Sequence, residues 1–235
     1  MPPLTLIAFD ADDTLWQNET HFRLTQSRFE ALLRDHAEPA HLHERLLAAE
    51  RRNLGHYGYG VKGFMLSMIE TAIEVTEGRI EARAIAEILS AGREMLTQPV
   101  ELCPHAEATL RDLSRHHQVI VITKGDLLDQ ERKVAQSGLG ELLHGVEIVS
   151  EKTAATYGAI FARYGHPPGR AMMVGNSVKS DVLPALSAGA WGVHVPHGLT
   201  WEMERADPPL DHPRYHALAD LSALPALVER LSRSL

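Results

Sequence analysis

The apolar residues of this chain follow two patterns that alternate along its length. Short unbroken runs occur at LTLIAF (4–9), QVIVIT (118–123), GVEIV (145–149), AMMVG (171–175) and WGVHV (191–195). Runs of this length without alternation suit strands buried on both faces of a parallel sheet. Segments of helical character separate the later runs, the order expected of an α/β fold. The interval between the first two runs is far too long for one crossover. It carries apolar residues at helical spacing: Phe22, Phe29, Leu32 and Leu33; Leu42, Leu46 and Leu47; Phe64, Met65, Met68, Ile69, Ala72 and Ile73; Ile85, Ile88 and Leu89. This predicts an all-helical domain, residues 16–98, inserted after the first strand of a core formed by residues 1–15 and 99–235. The exits are Trp16 to Asn18 and TQPVELCPH (97–105), which has two prolines and no periodicity. The stretch from Thr200 to Pro213 is expected to be irregular, and a closing helix from about Leu224 to Leu231 accommodates Pro225 in its first turn.

In an open parallel sheet, ligands gather at the carboxyl ends of the strands. The residues that follow each run form one chemical set. The first run ends in Asp10, Asp12 and Asp13; the second in Thr123, Lys124 and Gly125; Lys152 follows the third; the fourth leads into GNSVKSD, with Asn176, Ser177 and Asp181. Carboxylates crowded at a strand end repel one another and are costly to bury without a compensating cation or proton. Hard oxygen ligands in this arrangement suit Mg2+, which takes one or two carboxylates and completes its shell with water and substrate phosphate. One carboxylate can then attack phosphorus and form an aspartyl phosphate, while Asp12, two residues on, serves the leaving group and the hydrolytic water as acid and base.

The Asp10-x-Asp12-x-Thr14 pattern, Thr123, Lys152 and GNSVKSD, in this order at successive strand ends, resemble the haloacid dehalogenase-like hydrolase superfamily in its helical-cap subclass. The resemblance spans nearly the whole chain. It implies a Rossmann-like parallel sheet with helices on both faces and an inserted all-helical cap. It further implies Asp10 as nucleophile and metal ligand, Asp12 as acid/base that also offers its backbone carbonyl to the metal, and Thr123 and Lys152 as holders of the phosphoryl oxygens. Two positions depart from the pattern. Asn176 stands where Asp is common, so Asp181 is the main loop ligand expected and Asn176 a secondary one. Lys124 stands where Asn is frequent, and either touches substrate or sits beside the cleft. Thr14 is expected to brace the acidic loop, Asp13 to be a turn or capping residue, and Ser180 or Asp181 to cap the helix that contains Pro184.

The activity implied is a phosphatase acting on a small phosphorylated metabolite. Its rivals within the superfamily are a 2-haloacid dehalogenase, which needs neither metal nor an acid at Asp12, and a phosphonate hydrolase or sugar-phosphate mutase. A rival of another class is a non-catalytic receiver-like phosphoacceptor module. Composition bears on partners and compartment. The 23 Lys+Arg against 31 Asp+Glu give a net charge of -8, which opposes attraction to nucleic acid or an anionic membrane. No apolar run approaches a membrane span, and no signal-type segment opens the chain. A monomer or homodimer in the cytoplasm is expected, with the single Cys103 fitting a reducing compartment.

Two motifs lead elsewhere. GYGVKG (58–63) satisfies a G-x-G-x-x-G fingerprint but lies between helical patterns, where a dinucleotide site requires a preceding strand; it is expected to be a loop between helices. His36, His41, His43, His194 and His197 match no strong metal spacing and are expected to be solvated or capping.

Overall fold

The computed structural model describes residues 4–233. Six strands form one parallel sheet: β1 (Leu6–Phe9), β2 (Gln118–Lys124), β3 (Gly145–Val149), β4 (Ala171–Gly175), β5 (Trp191–His194) and β6 (Tyr215–Ala217). Their order is β3-β2-β1-β4-β5-β6. The chain winds outward from β1 in both directions, so the point at which strand order reverses lies at the carboxyl end of β1, where Asp10 begins. The five apolar runs are strands, with ends differing by up to two residues. The sixth strand departs from the sequence expectation. β6 is only three residues long and half exposed, pairing Gly192 with Tyr215, and an edge strand this short leaves no apolar run to detect.

Alternation along the strands separates two cores. Ile7, Phe9, Val119, Val121, Met172 and Val174 face α5 (Ala106–Leu113) and α9 (Leu224–Arg233) through Leu110, Leu113, Leu224 and Val228. Leu6, Ala8, Ile120, Ile122 and Met173 face the other way, toward Tyr157, Ile160 and Phe161 of α7 (Ala154–Arg163) and Ala185 of α8 (Leu183–Ser187). Both faces are therefore covered, as a parallel sheet requires.

The chain divides into two compact units. The first comprises the chain up to Glu19, Val100–Lys124 and the chain from Gln130 onward; the second comprises Thr20–Pro99 and Gly125–Asp129. Helices α1 (Glu19–Leu32), α2 (Pro39–Tyr57), α3 (Val61–Val75) and α4 (Ala82–Thr97) build the second around Phe29, Leu33, Leu42, Leu46, Phe64, Met68 and Ile88. Ile73 and Leu89, expected on buried faces, are exposed at 45% and 39%. The glycine-rich stretch is shorter as a loop than its sequence suggests. Only Gly58–Gly60 connects α2 to α3, and Val61 to Gly63 form the first turn of α3. Gly58 and Gly60 take positive φ values of 70° and 109°, and a Cβ on Gly63 would meet the Gly58 carbonyl oxygen at 2.8 Å. In the same unit, Lys62 pairs with Asp126 at 2.8 Å. Among the described residues no helix is long and apolar enough to cross a membrane.

Candidate active site

Asp10 continues the ladder of β1 by one residue, its N–H donating to Val174 O at 2.8 Å. Its carboxylate meets the Lys152 ammonium at 2.5 Å, and the same ammonium reaches Asp181 Oδ1 at 2.7 Å. All three residues are buried. Lys152 follows β3 and Asp181 follows β4, so three separate strand ends converge on one charge cluster. Thr14 ties in a fourth group. Its hydroxyl oxygen lies 3.3 Å from both Asp10 Oδ2 and Asn176 Oδ1, can give its one proton to either, and accepts from Asn176 N–H at 3.0 Å.

The loop after β4 has an unusual local build. Ser177 caps it, its hydroxyl accepting from Ser180 N–H at 3.0 Å, and a π-turn from Val178 to Val182 carries Asp181 back toward Ser177 N–H, which its Oδ2 accepts at 3.0 Å. Ser177 thus caps the π-turn, while α8, with Pro184 as its second residue, has Val182 at its N-cap position and no side-chain cap, so neither Ser180 nor Asp181 caps it. Such single-turn π segments recur at functional sites. Gly175 is required here because a Cβ would run into the Asp181 carboxyl group.

Asp12 has a hydrogen-bond shell of its own. Oδ1 accepts from Trp16 Nε1 at 2.7 Å and Lys133 Nζ at 2.9 Å, while Oδ2 accepts from Gln130 Nε2 at 2.8 Å. Lys133 also reaches Asn18 Oδ1 at 2.8 Å. Gln130 and Lys133 come from α6 (Leu127–Ser137). Their i, i+3 spacing places them on one helix face, but nothing in the sequence indicates that this face meets an acidic loop.

Thr123 is buried at the end of β2, and its hydroxyl donates to Lys124 O at 3.2 Å. Lys124 donates to Ser180 Oγ at 2.8 Å and Glu204 Oε1 at 2.7 Å, and stands 3.6 Å from Glu151. Glu204 was not foreseen. It lies on a 3₁₀ turn, Glu202–Glu204, within the stretch expected to be irregular, and its Oε2 accepts from Ser177 Oγ at 2.6 Å. Asp13 adopts φ 62° and accepts from Asn18 N–H at 2.9 Å and Glu19 N–H at 3.0 Å, which caps the start of α1. His194 Nε2 lies 3.1 Å from Asn176 O and His197 Nε2 lies 3.0 Å from Gln17 Oε1, so both serve loop contacts. Cys103 is buried, and burial pushes its thiol up to about 12.

With both buried carboxylates ionised, the one ammonium between them leaves a negative charge uncompensated. Burial pushes Asp10 up to about 7; Lys152 pulls against this and Asp181 adds to it. Burial disfavours the Lys152 ammonium, yet Asp10 and Asp181 outweigh it and hold its pKa above the ordinary lysine range. A further cation would relieve the imbalance. Among the described residues no three His, Cys, Asp or Glu side chains form a metal cluster, so protein carboxylates supply two ligands at most, Asp10 and Asp181. A hard divalent ion that fills its remaining positions with water and ligand oxygens fits that donor set; a closed tetrahedral zinc site does not.

The sequence pattern of haloacid dehalogenase-like hydrolases matches residues 4–189. A haloacid dehalogenase-like family hydrolase from Xanthomonas campestris is 41% identical, with a TM-score of 0.89 over 100% of this chain and 97% of that one. Two more distant structures share the fold. A predicted phosphoglycolate phosphatase from Haemophilus somnus has 17% identity and a TM-score of 0.66, covering 97% of this chain and 99% of its own. A 2-haloacid dehalogenase from Pseudomonas syringae has 20% identity and a TM-score of 0.62, with the same coverage. No curated protein sequence matches the chain significantly.

Proposed function

Since the chain belongs to the haloacid dehalogenase-like hydrolases, we propose that it is a phosphoric monoester hydrolase that cleaves a small phosphorylated metabolite through an aspartyl phosphate on Asp10. The observation that carries this reading is the Lys152 ammonium, 2.5 Å from Asp10 and 2.7 Å from Asp181, beside an Asp12 carboxylate with separate partners. Two carboxylates in different surroundings can take different tasks. Asp10 attacks phosphorus. Asp12 gives its proton to the departing alkoxide, then receives one from the water that cleaves the intermediate. The waiting Lys152 charge and the Thr123 hydroxyl hold phosphoryl oxygens, and positioned charge of this kind is the main contribution to phosphoryl transfer.

Mg2+ is the metal proposed, held by Asp10, Asp181 and the Asp12 backbone carbonyl with Asn176 at its margin; when bound it neutralises phosphoryl charge. Lys124 is engaged by Glu204 and Ser180, so its proposed part is to fix the loop after β4. The helical unit is proposed to act as a cap that selects the leaving group. The partner is a small anionic molecule, and the net charge of -8 argues against nucleic acid or a membrane surface.

The test is hydrolysis of a panel of phosphate monoesters with and without Mg2+, for the wild type and Asp10→Asn, alongside halide release from 2-halo acids. Metal-dependent phosphate release that Asp10→Asn abolishes is the expected result. Halide release without phosphatase activity would replace the reading with a dehalogenase.

A further inference from the structure

Gln130 is 2% exposed, and its amide is fully oriented by its neighbours. Nε2 donates to Asp12 Oδ2 at 2.8 Å and to Lys124 O at 2.8 Å. Both protons of the amide nitrogen are thereby used. A flipped amide would set its oxygen against a carboxylate and a carbonyl, so the orientation is fixed. The consequence is an orphan: Gln130 Oε1 is buried and has no hydrogen-bond partner among the described residues. A buried acceptor left unpaired is costly. Next to a candidate acid/base, such an acceptor suits a donor that is present only during the reaction.

The Asp12 carboxylate beside it can take a further donor. Among the described residues Oδ1 accepts from Trp16 and Lys133, and Oδ2 from Gln130. The side chain is 23% exposed. An O–H species that donates one proton to Asp12 Oδ2 needs an acceptor for its other proton, and Gln130 Oε1 belongs to the amide already bound to that same oxygen.

Resting on the phosphatase reading, we propose that Gln130 is the residue that positions the hydrolytic water, fixing Asp12 through Nε2 and accepting a hydrogen bond from the water's second O–H at Oε1. In this step the water oxygen bonds to phosphorus, the bond from phosphorus to the Asp10 oxygen breaks, and Asp10 leaves as a carboxylate. One water proton passes to Asp12; the other remains on the released phosphate. Asp12 is then the acid that the next leaving group requires. The first half-reaction needs no water, so Gln130 acts mainly on the second.

Rapid mixing with a nitrophenyl phosphate separates the halves, because its nitrophenolate departs with little need of an acid. Gln130→Met is expected to release a burst of nitrophenolate near one per enzyme at a rate within roughly twofold of wild type. Steady turnover then falls roughly tenfold or more, within the range for acid/base contributions, and intact-protein mass after acid quench shows a phosphoryl adduct on Asp10. Gln130→Ala, which removes both amide groups and introduces no charge, is expected to behave alike and carries the test if the methionine variant does not fold. Burst and turnover falling together, or neither changing, overturns the assignment of Gln130. Asp12→Asn separates this from failure of the parent reading: its adduct on Asp10 upholds the phosphatase chemistry whatever Gln130 does, whereas no adduct in any variant or in wild type removes that chemistry and the water position with it.

Discussion

Lys152 places its ammonium 2.5 Å from the Asp10 carboxylate, and both side chains are at most a tenth exposed. Two strand ends are thus held together by a pair whose separation would leave charge stranded in the interior. Replacing Lys152 by Met removes the cation paired with Asp10 and leaves Asp10 beside Asp181. We expect a loss of about 3–5 kcal/mol, the range for breaking a buried pair by deleting one partner. Urea unfolding measures it, and a loss below about 1 kcal/mol would show that the two carboxylates relax without their counter-ion.

Gly175→Ala tests the packing of the loop after β4. Its Cβ collides with the Asp181 carboxyl group, and overpacking of this kind costs about 1–3 kcal/mol. Because the collision displaces a proposed ligand, the Mg2+ requirement should rise together with the loss of thermal stability. Mg2+ titration of the melting temperature reads both effects, and an unchanged titration would separate Asp181 from the metal.

Glu204 gives a pH dependence whose sign is fixed. Burial raises its pKa, but Lys124 and the Ser177 and Ser180 hydroxyls outweigh burial, and the net direction is down. A carboxylate with a depressed folded pKa contributes stability that is present above its unfolded value and is lost as pH falls through the folded one. The melting temperature of Glu204→Gln should therefore lie below wild type at neutral pH. The gap should narrow as pH falls below the ordinary glutamate range. Thermal scans from neutral to acid pH, within the range where both proteins refold, check this; a constant gap would point to lost packing.

Asp13→Ala removes the acceptor for Asn18 and Glu19 N–H and places Ala at φ 62°. A lost cap costs about 1 kcal/mol, and the left-handed backbone adds to it because Ala lacks the short polar side chain that lets Asp adopt it. Asp13→Asn keeps an acceptor and tolerates that backbone better. It should recover most of the stability in chemical denaturation, and equal losses in the two variants would contradict the cap.

Much of this arrangement was legible in the sequence because strand ends are legible. Asp10, Lys152 and Asp181 each follow an apolar run, and a parallel sheet brings such positions to one edge whatever the intervening length. Other residues depend on how a helix rolls or a loop folds. Gln130 and Lys133 look like any polar face of an amphipathic helix until its rotation is known. Glu204 comes from a stretch without periodicity, so no pattern could assign its partner. Ser177 rather than Ser180 caps the loop because a π-turn shifts the spacing, and β6 is too short to carry a run. The departure at Asn176 was visible as a missing carboxylate, but its bond to Thr14 was not.

Asp10 takes its backbone amide from the ladder between β1 and β4, and β1 has a paired strand on each side. The carboxylate proposed as nucleophile is therefore attached to a segment that opens only when the sheet itself comes apart. Mild heating or dilute denaturant should remove active molecules one whole domain at a time and leave each survivor at full speed, in place of a population that grows gradually sluggish.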